Sequence, residues 1–253
     1  MNGVVALVGL DAEILQKLSD VLPRAGLRIL TVRDLSGLAD GFRPDQIAFV
    51  AVDLDRLSNS DRILLDRFID DPAGPGILAV GTPPPDGTRI PPAARRFGVH
   101  GFVPKPVDPA AFAALAGKLA EWGYGTPERR RRVLVIDDSR TIRAMVGGYL
   151  ERGGFRTVVR SVWEDAIDDP ETLGVDLVVT DIFMPGMGGV EGIRLVREGW
   201  RPLPVLAMSG GLEDRMSPGK TLQAAEIVGA DASIAKPLPE EPFMAAVRGL
   251  LAG

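Results

Sequence analysis

The sequence predicts two α/β domains in tandem, each built on a parallel β-sheet covered by helices on both faces. Two observations predict this class. In each half of the 253 residues, short apolar runs alternate with amphipathic helical stretches, and uninterrupted Val/Ile/Leu runs are typical of strands that are buried on both faces. Corresponding residues of the two halves are also separated by a nearly constant number of residues in the sequence, which indicates a duplicated folding unit.

The predicted strands follow from these apolar runs, taken in order. In the first half they are VVALVGLD from residue 4, LRILTV from 27, IAFVAVDLD from 47, GILAVG from 76 and GFVPKP from 101. In the second half they are VLVI from 133, RTVVRSV from 156, DLVVTD from 176, LPVLAMS from 203 and ASIAKP from 232. Stretches such as SRTIRAMVGGYLERGG and GVEGIRLVREG lie between the runs of the second half and carry helical periodicity.

The duplication sets the predicted domain boundaries. Asp11 and Asp138 are 127 residues apart, Gly26 and Gly154 are 128 apart, as are Asp53 and Asp181, and Lys105 and Lys236 are 131 apart. This period is much longer than a solenoid repeat, so it predicts two complete domains, residues 1–122 and 132–253. Glycines, a proline and clustered charge predict a linker at 123–131, and we expect the short basic run Arg129–Arg132 to be solvated.

Composition excludes several classes of function. The formal net charge of -5 and the single short basic run argue against nucleic acid as a partner, because such binding needs a concentrated basic face. The chain has no cysteine, which excludes disulfides and fits a cytoplasmic location. No apolar run approaches the roughly 18 residues of a membrane span. We therefore expect a cytoplasmic protein that makes no membrane contact.

Polar side chains suited to a metal ion and a phosphoryl group follow the strands of the second half. Asp137 and Asp138 follow its first strand, Asp181 its third, Ser209 its fourth and Lys236 its fifth. Ligands of open parallel sheets bind at this edge, and adjacent carboxylates repel unless a cation lies between them. Each residue alone also fits a turn or helix cap. Together they predict a site for Mg²⁺, which prefers oxygen ligands, and for a phosphoryl group.

These residues, with the stretch DIFMPGMGG from Asp181 and the Lys236-Pro237 pair, resemble the response-regulator receiver (CheY-like) family of two-component systems over residues 132–253. The resemblance implies flavodoxin-like (βα)5 domains. It also implies that Asp181 accepts a phosphoryl group from the phosphohistidine of a histidine kinase or histidine phosphotransfer protein. The implied Mg²⁺ ligands are Asp137, Asp138, Asp181 and the backbone carbonyl of Phe183, while Lys236 and Ser209 would contact the phosphoryl group.

The first half keeps fewer of these residues, so we expect a degenerate receiver-like domain used for dimerisation or partner contact. Asp53 matches the acceptor, Asp11 one acid of the pair and Lys105 the lysine, whereas Leu10 stands where Asp137 stands and Gly81 where Ser209 stands. Asp55 and Thr82 stay open as replacements for the lost groups. His100, the only histidine, is expected at a surface turn.

The resemblance implies a response regulator, and we expect it to have no output domain because no further pattern follows the final predicted helix, EEPFMAAVRGLLAG. It would be a phosphoacceptor rather than an enzyme, would signal to a downstream protein through protein contacts, and would have the option of forming a homodimer. Two other functions stay open. A Mg²⁺-dependent phosphohydrolase with an aspartate nucleophile usually has two Asp residues two positions apart after its first strand, whereas Asp137 and Asp138 are adjacent. A scaffold that is never phosphorylated would not need the complete set of site residues.

Overall fold

The structure is a computed structural model that describes residues 3–43, 46–71, 74–126, 129–210 and 229–252. The chain divides into two compact units, Met1–Arg130 and Arg131–Gly253. Each unit contains a five-stranded sheet in which all neighbouring strands are parallel. This confirms the predicted fold class of two doubly wound, flavodoxin-like domains in tandem.

The elements of the first unit alternate between strand and helix. Its strands are β1 (Val4–Val8), β2 (Arg28–Val32), β3 (Phe49–Asp53), β4 (Gly76–Gly81) and β5 (Gly101–Pro104), and its helices are α1 (Ala12–Val21), α2 (Leu35–Gly41), α3 (Asn59–Ile69), α4 (Pro92–Arg96) and α5 (Pro109–Glu121). The sheet order is β2-β1-β3-β4-β5. Strand order therefore reverses at β1, where open sheets of this kind bind ligands.

The second unit repeats this plan. Its strands are β6 (Arg132–Ile136), β7 (Arg156–Arg160), β8 (Leu177–Asp181), β9 (Val205–Ser209) and β10 (Ala232–Ala235), and its described helices are α6 (Arg140–Arg152), α7 (Trp163–Ile167), α8 (Gly189–Gly199) and α9 (Glu240–Leu251). The sheet order is β7-β6-β8-β9-β10, so strand order again reverses at the first strand, β6. No helix within the described ranges combines the length and apolar character needed to cross a bilayer.

Burial explains why the inner strands are continuously apolar. All five residues of β3 and all five of β8 are buried, because helices cover both faces of these central strands. The edge strands β2 and β7 are only partly buried. Side chains of the central strands form the cores of both units, and the chain ends those strands with Asp53 and Asp181 at the carboxyl edge.

The basic run before β6 is not fully solvated. Arg132 begins β6 and is 2% exposed. Its guanidinium donates hydrogen bonds to the carbonyl oxygens of Leu173, at 2.6 Å, and Glu171. Asp176 accepts a hydrogen bond from the backbone N–H of Arg132 at 2.8 Å. The prediction of a solvated run was therefore wrong for Arg132, because its charged group bonds to carbonyl oxygens instead of water.

The first unit buries its histidine. His100 is 3% exposed, its Nδ1 accepts a hydrogen bond from the Ile77 N–H at 2.8 Å, and its ring centroid lies 4.3 Å from that of Tyr124. The surface-turn prediction for His100 was therefore wrong. Tyr124 falls within the predicted linker 123–131, but it is 2% exposed and belongs to the core of the first unit. Residues 127 and 128 of that segment lie outside the described residues.

Candidate functional site

Three carboxylates converge at the carboxyl edge of the second sheet. Asp137 and Asp138 follow β6, Asp181 ends β8, and β6 and β8 are hydrogen-bonded neighbours. One ligand oxygen from each residue lies within 4.8 Å of the other two. No other group of three acidic or histidine side chains comes this close in the part of the chain that the structure describes. Strand pairing therefore brings together the residues that the sequence placed at this edge.

Lys236 joins this cluster from the other side. It follows β10, and its Nζ donates hydrogen bonds to Asp137 Oδ2 at 2.8 Å and Asp181 Oδ2 at 2.9 Å. The side chain of Asp137 is fully buried, that of Asp181 is 7% exposed and that of Lys236 is 17% exposed. Each ion pair is thus largely shielded from water, and one ammonium serves two carboxylates.

Burial governs the electrostatics of this cluster. Burial raises the pKa of Asp137 above its ordinary value, and the hydrogen bonds from Lys236 and from the Ser139 N–H offset only part of that rise. Burial acts to lower the pKa of Lys236, but its hydrogen bonds to Asp137 and Asp181 outweigh this effect and raise that pKa. Lys236 therefore carries its charge at neutral pH. Three carboxylates facing one ammonium leave an excess of negative charge that a divalent cation would neutralise.

Arg143 positions the loop that carries the two adjacent acids. It lies in the first turn of α6, and its guanidinium donates to the carbonyl oxygens of Asp137 at 2.6 Å and Asp138 at 2.9 Å. The Asp137 side chain also accepts from the Ser139 N–H at 2.9 Å. Sequence reasoning missed Arg143. Its signal was a basic residue in the first helical turn after the acids, where cations are usually disfavoured by the helix dipole.

Ser209 and Phe183 complete the predicted set. Ser209 ends β9, is fully buried, and its Oγ has no hydrogen-bond partner. A buried hydroxyl without a partner costs about 1–3 kcal/mol, so this atom fits a donor that bonds to a ligand oxygen. The N–H of Phe183 donates to Asp181 Oδ1 at 3.3 Å, which places Phe183 beside the acceptor carboxylate. Metal binding by its carbonyl stays a prediction.

The equivalent edge of the first unit lacks both adjacent acids. β1 begins 128 residues before β6, so Gly9 corresponds to Asp137, Leu10 to Asp138 and Asp11 to Ser139. Asp11 caps α1 by accepting from the Ile14 N–H at 2.8 Å, as Ser139 caps α6. The predicted match of Asp11 to one acid of the pair was therefore wrong. Gly9 has a φ of 64°, a left-handed conformation that favours glycine.

Two cations surround the acceptor-like carboxylate of the first unit. Lys105 Nζ lies 2.8 Å from both carboxylate oxygens of Asp53 and 2.9 Å from Asp55 Oδ2. Arg56 Nε lies 3.5 Å from Asp53 Oδ2, and its Nη1 donates to the Gly9 carbonyl at 3.1 Å. Arg56 thus contacts Gly9, which corresponds to Asp137, and Asp53, which corresponds to Asp181. A guanidinium occupies the region where the second unit gathers its acids.

Asp55 and Thr82 bind each other in the first unit. Asp55 accepts hydrogen bonds from the Thr82 N–H at 3.0 Å and from its hydroxyl at 2.9 Å. Burial acts to raise the pKa of Asp55, but the hydrogen bonds from Lys105 and Thr82 outweigh it and lower that pKa. The Thr82 hydroxyl therefore has a partner, unlike that of Ser209, and the first unit does not reproduce the arrangement of the second.

Comparison with known proteins agrees with this geometry. The family model for the response regulator receiver domain matches residues 133–248. The chain is 32% identical over 125 residues to the phosphate regulon transcriptional regulatory protein PhoB of Escherichia coli, and the match covers 48% of this chain and 52% of PhoB. It is also 32% identical over 117 residues to the CAI-1 autoinducer sensor kinase/phosphatase CqsS of Vibrio cholerae, and the match covers 45% of this chain and 16% of CqsS.

Among solved structures, the chemotaxis response regulator CheY4 of Vibrio cholerae is 27% identical, with a TM-score of 0.42, and the match covers 48% of this chain and 99% of CheY4. The chain thus spans about half the length of PhoB and less of CqsS. Sheet topology, the acidic cluster and the family match together identify residues 133–248 as a response regulator receiver domain of two-component systems. The sheet of the first unit has the same strand order as the sheet of the second unit.

Proposed function

We propose that this protein is a two-component response regulator that accepts a phosphoryl group on Asp181. The donor would be a phosphohistidine of a histidine kinase or histidine phosphotransfer protein. A carboxylate oxygen of Asp181 attacks phosphorus, the P–N bond to the donor imidazole breaks, and the imidazole keeps the electron pair and takes up a proton. The product is an aspartyl phosphate. The acidic cluster with its single ammonium is the observation that carries this proposal.

The chain's own groups perform most of the positioning. Lys236 holds Asp181 at 2.9 Å and neutralises charge on the incoming phosphoryl oxygens. The unpartnered Ser209 hydroxyl donates a hydrogen bond to one of those oxygens. This division of labour suits phosphoryl transfer, in which positioning and charge stabilisation account for most of the catalysis.

The donor set also fits Mg²⁺. Asp137, Asp138, Asp181 and the carbonyl of Phe183 would hold the ion, and oxygen-only ligands with excess negative charge are what this hard cation prefers. Mg²⁺ held there would supply positive charge that offsets the negative charge of the acceptor carboxylate and of the phosphoryl group. The raised pKa of Asp137 reflects burial, and that burial would strengthen its attraction to a divalent ion.

We propose that the two units have different roles. Residues 132–253 act as the receiver, residues 1–122 act as a degenerate receiver-like domain that contacts a partner or a second copy, and 123–131 connect them. Asp53 is not phosphorylated in this proposal, because Gly9 and Leu10 replace both acids and Arg56 contacts the region that they would occupy. The protein would be a cytoplasmic phosphoacceptor that signals to a downstream protein rather than an enzyme with turnover.

Acetyl phosphate labelling with a matched pair of variants tests this assignment. With Mg²⁺, mass spectrometry should find one aspartyl phosphate in the wild-type protein and in Asp53→Asn, and none in Asp181→Asn. Asp138→Asn should keep the fold, because Asp138 is exposed, but should need more Mg²⁺ for labelling. Label that persists in Asp181→Asn and disappears in Asp53→Asn would reverse the roles of the units. Continuous phosphate release from many esters would favour the hydrolase.

A further inference from the structure

The first residue of α7 is anchored to the strand that carries the acceptor. Trp163 begins this helix and is fully buried. Its indole Nε1 donates to Thr180 Oγ1 at 3.1 Å, and that hydroxyl donates to the backbone carbonyl of Asp181 at 3.0 Å. A Cβ on Gly192 would lie 2.0 Å from the indole, so α8 packs closely against the ring. The start of α7 is therefore held in a defined position relative to Asp181.

The next residue, Glu164, reaches the loop between Asp181 and α8. Its Oε1 accepts a hydrogen bond from the Met187 N–H at 3.0 Å. The same oxygen faces Gly186, where a Cβ would lie 2.8 Å away. Hydrogen bonds from the N–H groups of Glu164 itself and of Met187 lower the pKa of this carboxyl. The side chain is therefore ionised at neutral pH, and its bond to Met187 is charge-assisted.

This loop, residues 182–188, includes the predicted backbone ligand of the metal ion, the carbonyl of Phe183. The Gly189 N–H donates to the Ile182 carbonyl at 3.0 Å and closes the base of the loop. The bond to Glu164 holds the loop at a second point, further along the chain. Because the Phe183 carbonyl lies between these two points in the sequence, its position depends on both of them.

The first unit has a different residue pair at the start of the corresponding helix. Strands β2 and β7 begin 128 residues apart, so Leu35 corresponds to Trp163 and Ser36 to Glu164. The Ser36 hydroxyl donates to Asp34 Oδ1 at 2.7 Å, and Asp34 is the N-cap of that same helix, α2. The contact from the helix start to the acceptor loop therefore occurs in the unit that has the complete acidic cluster.

We propose that Glu164 is a positioning residue for the Mg²⁺ site, which holds the loop in the position from which the Phe183 carbonyl would bind the ion. This inference rests on the proposed function, because it gives Glu164 a part in loading the receiver site. Without the bond to Met187 the loop populates other positions, and the apparent affinity for the ion falls with the fraction of the competent state. Saturating Mg²⁺ selects the competent state, so the Mg²⁺ requirement of labelling changes and its maximal rate does not.

Calorimetric titration of the full chain with magnesium chloride tests this role. Glu164→Ala should weaken Mg²⁺ binding about fivefold, less than the roughly 10–100-fold that follows loss of a group bonded directly to a metal ligand, because Glu164 acts through the loop. Glu164→Gln should stay within about twofold of the wild type, since its amide oxygen also accepts from the Met187 N–H. Asp165→Ala removes a charge from the same exposed helical turn and should bind Mg²⁺ as the wild type does.

Two further measurements separate positioning from a purely structural role. In EDTA, amide exchange of the peptide that carries residues 182–188 should be faster in Glu164→Ala than in Glu164→Gln. Labelling by acetyl phosphate should need about fivefold more Mg²⁺ in Glu164→Ala and should reach the wild-type rate at saturating Mg²⁺. All three variants should keep the wild-type urea midpoint, because exchanges of exposed side chains have little effect on folding.

The outcomes that overturn the inference are distinct from those that overturn the proposed function. Equal Mg²⁺ affinities of Glu164→Ala and the wild type overturn the inference, as does an equal loss in Glu164→Gln or Asp165→Ala, which would assign the effect to charge. A labelling rate of Glu164→Ala that stays low at saturating Mg²⁺ also overturns it. A wild-type protein that neither binds Mg²⁺ nor takes up label overturns the proposed function, and the inference with it.

Discussion

Replacing Lys236 with methionine should destabilise the second unit by about 3 kcal/mol in the absence of divalent cations. Its ammonium lies 2.8 Å from Asp137 and 2.9 Å from Asp181, and the substitution leaves both buried carboxylates without their shared cation. Removing one partner of a buried ion pair costs about 3–5 kcal/mol. We expect the lower end, because Lys236 is 17% exposed and Asp137 can take up a proton in the variant.

Scanning calorimetry of the full chain measures this loss. For a unit of roughly 120 residues, 3 kcal/mol corresponds to a fall in Tm of about 10 °C. Amide exchange on peptides from each unit assigns the transition that shifts. Mg²⁺ should stabilise the Lys236→Met protein more than the wild type, because the divalent ion then replaces the missing ammonium charge between the acids.

Lys105→Met is the matched control in the first unit. Lys105 holds Asp53 as Lys236 holds Asp181, but Arg56 remains 3.5 Å from Asp53 after the substitution. We therefore expect a smaller loss of stability in the first unit, about 1–2 kcal/mol, and no recovery with Mg²⁺. A loss below about 1 kcal/mol in Lys236→Met, or equal Mg²⁺ responses in the two variants, would refute the electrostatic account of the acidic cluster.

Three further substitutions test other parts of the structure. Gly192→Ala should cost at least about 1–3 kcal/mol, because its Cβ would lie 2.0 Å from Trp163; urea unfolding measures this, and an unchanged midpoint would show that α8 can move aside. His100→Phe removes the acceptor of the Ile77 N–H and should lower the stability of the first unit by about 1–3 kcal/mol. Thermal unfolding measures this loss, and a Tm equal to that of the wild type would contradict the prediction. The lowered pKa of Asp55 gives a stabilising contribution that is present above its unfolded pKa of about 4 and is lost as the pH falls through the folded value. The Tm of the first unit in Asp55→Asn should therefore depend less on pH in acid, and an identical acid profile would contradict this.

The strands and the receiver site could be predicted because they depend on patterns that the sequence displays directly. A strand buried on both faces has to be continuously apolar, and a parallel sheet brings the residues that follow its strands to one edge. The sequence therefore predicts that Asp137, Asp181 and Lys236 meet at one edge of the sheet, and their charged groups do meet there.

The sequence predictions that were wrong or missing concern the contacts of long side chains and the alignment of Asp11, which was off by one residue. Arg56, Arg132 and Arg143 bind carbonyl oxygens of other segments, and nothing in local periodicity shows where a flexible arginine will reach. The match of Asp11 to the acidic pair needs an offset of 127, which differs by one residue from the 128 that separates Asp53 and Asp181. That single-residue difference was the signal that Asp11 is a helix cap.

The left-handed backbone at Gly9 has a consequence for the history of the first unit. An aspartate at this position would be strained by roughly 1–2 kcal/mol, and its carboxylate would meet the guanidinium that now bonds to the Gly9 carbonyl. Reversion to metal binding would therefore require the loop path and Arg56 to change together with the acid.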